Sequence, residues 1–185
     1  MKATRSITVR LGAALVAAVL VSACGGDDDT SATTESSAAG SATSSTSEPG
    51  ATVSVDVYLV DQEAFNVGTA PYVVALERQV PAEDPVTGAL DALFAGPTTD
   101  EANEGIILVA SGATGVGEVT LEDGVARVHL EGGCSSGGST LSVADEIIPT
   151  LRQFEEVDVV KVYDPDGTTG DADGPHDSMP FCLEP

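Results

Sequence analysis

Apolar and polar positions alternate from Val53 to Val60, in a stretch rich in valine. A period of two predicts a strand. Tyr72–Val80 reads as a second strand, paired with the first, and Phe65–Ala70 reads as the loop before it. The period then changes. Val86, Ala89, Leu90, Leu93 and Phe94 fall on one face of a helix. Asp84 suits its N-cap, and Pro85 stands at the first helical position, where no amide is needed. Gly96-Pro97 ends it, because glycine takes the left-handed position and proline cannot continue. Thr98 with Glu101 three residues on is a capping box for a short helix, halted by Gly105. Ile106–Val109 is an apolar run, and Ser111–Gly117 is rich in turn formers.

Two alternating segments, Val116–Leu121 and Gly124–Leu130, flank Asp123-Gly124, a hairpin signal. Ala126, Val128 and Leu130 share one face. Val125, Arg127 and His129 share the other, which makes His129 a solvated strand residue. A Gly/Ser loop, Gly132–Ser139, leads into Leu141, Ala144, Ile147, Ile148, Leu151 and Phe154, again one helix face. The helix should run from about Thr140 to Glu155 with a Ser or Thr as its cap. Pro149 lies inside it, at a cost of ~3 kcal/mol and with a kink. Two short helices are the alternative. Val157–Tyr163 closes the pattern as a β-branched strand.

The start of the chain has a different pattern. Lys2, Arg5 and Arg10 precede the apolar run Leu11–Ala23, which is shorter than the ~20 residues of a membrane-spanning helix. A basic stretch before a short apolar one is a secretory signal, here residues 1–23. Val21-Ser22-Ala23-Cys24-Gly25 resembles the bacterial lipobox. Cys24 would then become the first residue of the mature chain and carry its lipid. Two or more acyl chains give a stable anchor. The expected location is therefore the outer face of a bacterial cell membrane. Residues 24–51 contain Asp27-Asp28-Asp29 and then mostly Ser, Thr, Ala and Gly. Without large apolar side chains this stretch cannot offset its ordering entropy, so it reads as a disordered tether. Residues 52–185 remain as one domain of ordinary size with an acidic C-terminal tail, Asp164–Pro185.

Charge narrows the partners. Lys and Arg total 7 against 30 Asp and Glu, for a formal charge of −23. Three of the seven cations lie in the leader and every acid follows Cys24, so the exported chain would be more acidic still. That field disfavours nucleic acid and anionic lipid. It suits cationic partners, or external salt that screens the self-repulsion. With Cys24 lipidated, Cys134 and Cys182 remain. An even pair in an exported chain favours a disulfide, worth about 4 kcal/mol in the chain-entropy picture. Two free, reactive thiols are the alternative.

Several segments together resemble a known family. Leu93-Phe94-Ala95-Gly96-Pro97-Thr98 with Glu101 is similar to a helix end of the GerMN domain, the sporulation and spore germination module. Val119–Leu130 resembles its central hairpin. Thr150–Phe154 followed by Val157 and Val160-Lys161-Val162 resembles its last helix and strand. The resemblance implies an α+β fold in a single small domain, of order β-β-α-β-β-α-β, with a mixed sheet and two helices packed on it. It also implies an exported, often lipid-anchored, non-catalytic protein of envelope assembly or the cell wall. The acidic tail and its cysteine pair depart from the family pattern, as does the single copy of the domain.

Candidate chemistry is sparse. Asp164-Pro165-Asp166-Gly167 and Asp171-Ala172-Asp173-Gly174 look like fragments of calcium loops, but the full ligand spacing is absent. Acidic turns are the simpler account, with calcium at Asp164, Asp166, Asp171 and Asp173 as the alternative. Ser135, Ser136 and Ser139 lie in the Gly-rich loop, but only His129 and His176 could serve as neutral-pH bases. Glu155, Glu156 and Asp158 sit beside the last strand, where a glycosidase would need two carboxylates across a cleft. Two histidines and a committed cysteine pair leave no tetrahedral zinc set. With no Trp, three Tyr and four Phe, a stacking surface for bases or sugars is not expected. No cofactor is expected beyond the lipid on Cys24. The expected function is a binding or scaffold domain whose partner is an envelope protein or peptidoglycan. A cell-wall-remodelling hydrolase and a calcium-binding envelope lipoprotein are the alternatives.

Overall fold

Alternation along Thr52–Asp61 gives the first strand, β1, in the computed structural model, which describes residues 50–185. The leader, Cys24 and nearly all of the tether lie outside the described residues. A short helix, α1 (Gln62–Val67), follows at once. This corrects the reading of Phe65–Ala70 as loop. The Asp61 carboxylate accepts from the Ala64 amide, and Gly68 at φ 71° ends the turn. Strand β2 (Val73–Pro81) then pairs antiparallel with β1 along nearly its whole length.

Helices α2 (Pro85–Phe94) and α3 (Thr99–Asn103) start as their caps predict. Asp84 accepts from the Thr87 amide at 3.2 Å, and Thr98 and Glu101 form the reciprocal box. Glu101 also takes a bidentate contact from Arg78 of β2, at 2.9 and 2.6 Å. That guanidinium, with the Thr98 amide, holds the Glu101 carboxyl down at about 2. Strand β3 (Ile106–Ile107) adds two residues to the far edge of β1.

The hairpin forms from β4 (Ala113–Glu122) and β5 (Val125–Gly132). Asp123 and Gly124 both take positive φ, 52° and 78°, as the tight turn requires. Helix α4 (Val143–Arg152) follows the Gly/Ser loop, with Ser142 as its cap, and runs through Pro149 as one helix. It is shorter at both ends than its apolar stripe suggests, because Ser142 and Asp145 fix its start: the Ser142 amide donates to the Asp145 carboxylate at 2.8 Å. Strand β6 (Val159–Tyr163) runs parallel to β5, entering where the Asp158 and Val159 amides donate to the Gly124 carbonyl.

The protein is therefore α+β, and the larger elements follow the order β-β-α-β-β-α-β. The strands form two three-stranded sheets, β2-β1-β3 and β4-β5-β6, where one mixed sheet was expected. The reason lies at the β3 side of β1. Because β3 is only two residues long, helix α4 takes over the rest of that edge with side chains. The Asp56, Tyr58 and Val60 amides donate to Gln153, Thr150 and Glu146 at 2.7, 3.0 and 3.2 Å. These acceptors lie one helical turn apart on a single stripe. The Glu146 carboxylate also accepts from the Val109 amide. Glu146 is fully buried, and burial pushes its carboxyl up to about 8 despite those two amides.

One apolar core joins both sheets. It contains Leu59 of β1, Leu90 and Leu93 of α2, Val128 of β5, Ile147 of α4 and Val160 of β6. Helix α2 meets β2 at Gly88, where a Cβ would stand 2.8 Å from the Val80 Cβ and 3.2 Å from the Pro81 Cδ. Alanine there gains roughly 1 kcal/mol of helix propensity and loses roughly 2 kcal/mol to overpacking. Gly88→Ala should therefore lower stability by about 1 kcal/mol in urea unfolding. A stabilised variant would show that the helix moves off the strand at no cost.

Candidate functional site

The outer edge of β6 is closed by the tail. After Tyr163 the chain makes an acidic turn. The Asp164 carboxylate accepts from the Asp166 and Thr168 amides and from the Thr168 hydroxyl. The Thr168 side chain and amide hold the Asp164 carboxyl below its ordinary range. The chain then returns along β6. The Ser178 amide donates to the Val160 carbonyl at 3.0 Å, and the Val162 amide donates to the Ser178 carbonyl at 2.9 Å. Asp177 joins three elements: it accepts from the Val160 amide at 2.8 Å and from Arg152, at the end of α4, at 3.0 Å.

Lys161 is 1% exposed, although it is a strand residue flanked by valines. Its Nζ donates to the backbone carbonyls of Asp171 and His176, each at 2.6 Å. A buried ammonium is costly unless it is hydrogen-bonded, and the tail supplies acceptors for two of its three donors. Beyond this point Leu183 is buried in the core, and Cys182 is bonded to Cys134 with the Cα atoms 5.7 Å apart. The Ser136 amide also donates to the Cys182 carbonyl at 2.7 Å. The tail is thus a strap fastened at both ends, by Asp177 and Lys161 at one and by the cystine and Leu183 at the other.

Between the strap and α4 lies a cleft of about 380 Å³. Ile148, Met179 and Phe181 supply apolar walls, and Asp171, Asp177 and Glu184 supply carboxylates. Asp177 is paired with Arg152. Among the described residues, neither Asp171 nor Glu184 takes part in an ion pair. Phe181 is 72% exposed in a short 3-10 turn, Phe181–Leu183, whose other two residues are the cystine and a core residue.

The calcium candidates are not brought together. Asp164 serves its own turn, and Asp171 accepts from the Gly174 amide at 2.9 Å. Asp166 and Asp173 are exposed. Among the described residues no three His, Cys, Asp or Glu side chains gather as a metal set. The backbone carbonyls of the acidic loop instead surround the chain's own cation, Lys161. The loop hydroxyls are also engaged locally. Ser135, Ser136 and Ser139 accept from the amides of Gly137, Gly138 and Leu141. His129 stacks on Tyr163 across β5 and β6, with ring centroids 4.5 Å apart and planes at 9°. His176 is exposed, as are Glu155, Glu156 and Asp158.

Sequence reasoning missed Glu146 and Lys161. For Glu146 a signal existed: Glu146, Thr150 and Gln153 repeat at helical spacing beside the apolar stripe. For Lys161 the local pattern carries none, since a lysine between valines reads as one solvated position in a strand.

An α+β domain with two small sheets, a strapped acidic tail and a cleft beneath the strap is the class defined by this fold and site. The chain belongs to the sporulation and spore germination family, Germane, whose profile matches residues 56–169. Among solved structures it is similar to the tandem GerMN domains of the sporulation protein GerM from Bacillus subtilis. That match has 21% identity over 64% of this chain and 40% of that one, with a TM-score of 0.47. The first GerMN domain of the same protein is similar at 22% identity, over 71% of this chain and 97% of that one, with a TM-score of 0.44. The chain thus spans less than half of the tandem structure. No curated protein matches the sequence.

Proposed function

We propose that the chain is a lipid-anchored binding or scaffold domain on the outer face of a bacterial cell membrane, acting in envelope assembly or at the cell wall without catalysis of its own. The observation that carries the reading is the Cys134–Cys182 cystine, which organises a surface strap and its cleft. A structural cystine belongs to an oxidising, extracytoplasmic compartment. The leader and the Cys24 lipobox point to the same address. The non-catalytic part of the reading is supported by how the polar groups are used: the loop serines brace their own turns, and the buried Glu146 and Lys161 hold backbone. The partner is an envelope protein or peptidoglycan.

Cys24→Ala should move the protein from the membrane fraction to the soluble one. Retention in the membrane would remove the lipid anchor from the reading. The full chain incubated with purified peptidoglycan should release no soluble fragments. Release that is abolished by substituting one Glu or Ser would establish the hydrolase instead.

A further inference from the structure

We propose that the cleft between α4 and the tail is a docking site for a basic segment of another exported protein. It takes a lysine or arginine side chain, with the stem against Phe181 and Met179 and the charged head at Asp171 and Glu184. The inference rests on the binding-domain reading and names the partner's chemistry.

Three observations lead there. Phe181 is 72% exposed, and large exposed aromatics held in place are typical anchors of interfaces. It is also rigidly presented, because Cys182 is bonded to Cys134 and Leu183 is 1% exposed. A preformed contact loses little ordering entropy when a partner arrives. Second, the cleft combines apolar walls with two carboxylates that no cation of the described residues pairs. Lysine and arginine are the side chains that match both properties, an apolar stem ending in a cation. A cation over the Phe181 ring gains further from the ring face. Third, the formal charge of −23 selects against the chain itself. A second copy repels the site, and so does the tether with Asp27-Asp28-Asp29. A basic partner is steered toward it, with a rate that falls as salt rises.

The test is calorimetric titration of the full chain with a short, end-capped peptide of alternating lysine and leucine. Phe181→Ser should weaken binding about tenfold at unchanged melting temperature. Glu184→Gln should weaken it less and flatten its salt dependence. A peptide with glutamate in place of lysine should not bind. Equal binding by Phe181→Ser would overturn the proposal. So would an all-lysine peptide that binds the native chain and Phe181→Ser equally, since bulk charge alone would then explain the affinity. A Phe181-dependent sedimentation with peptidoglycan, with no peptide binding, would assign the cleft to wall polymer instead. None of these outcomes bears on the membrane location, which the Cys24 variant tests separately.

Discussion

Glu146→Gln is expected to gain stability relative to the native chain as pH rises from about 5 to about 8. The sign follows from where the proton sits. In the unfolded chain the carboxyl titrates near 4.5, and in the folded chain at about 8. Between those values the folded state holds a proton that the unfolded state has released. Stability then falls as pH rises, by at most about 1.4 kcal/mol per pH unit for a single group. The main cause is burial, reinforced by the neighbouring Asp145 charge and opposed by the Val109 and Val60 amides. Glutamine keeps a carbonyl oxygen for both amides but carries no charge. Urea unfolding of both proteins at pH 5 and pH 8 reads the difference directly. Parallel pH dependence in the two would sink the argument. Glu146→Leu probes the other half of the role. It leaves the Val60 and Val109 amides without their acceptor, at roughly 1–3 kcal/mol each, so a total loss of about 2–6 kcal/mol is expected at pH 5. By pH 8 the native chain has itself lost up to about 4 kcal/mol, so glutamine should be the most stable of the three and the gap between native and leucine should have largely closed.

That carboxylate also marks where sequence reading stopped. Elements whose signals are local were legible. Asp84-Pro85 and Gly96-Pro97 bounded α2, Thr98 and Glu101 opened α3, and Asp123-Gly124 turned the hairpin. Even α1 was marked, by Asp61 and Gly68 at a cap-to-cap spacing, but none of its residues is buried, so no apolar stripe announced it. What was not legible is what depends on partners far along the chain. Whether β1 continues into β6 as one sheet, or stops at a polar helix stripe, turns on contacts between Tyr58 and Thr150 or Val60 and Glu146. The apolar stripe of α4 announces a buried face, but it does not say that the flank beside it is buried too. The tail was legible in its cystine pair and its acidity. Its return along β6, with Ser178 beside Lys161, was not, because Asp177–Met179 has no strand pattern of its own. The cleft follows from that return, so it too lay beyond the sequence.

Replacing Cys134 and Cys182 together by alanine should cost about 4 kcal/mol in the chain-entropy picture, for a bond spanning 48 positions. The local effect should be larger in consequence than the global one. Without the cystine the strap keeps Leu183, whose burial is worth about 2 kcal/mol, and a few hydrogen bonds near 1 kcal/mol each. The ion pair of Asp177 with Arg152 adds little, since Arg152 is largely solvated. Against these stands the conformational entropy that the segment Asp164–Pro185 regains on opening. The segment should therefore open more easily than the core. Opening uncovers the Val160 and Val162 backbone groups on the outer edge of β6 and strips the Lys161 ammonium of both its carbonyls. An uncovered edge strand is a template for association. Limited proteolysis of the double variant should cut first between Asp164 and Pro185, while Thr52–Tyr163 persists as a fragment that self-associates with time. Digestion at the native rate in that segment would mean that Leu183 and Lys161, not the cystine, fasten the strap.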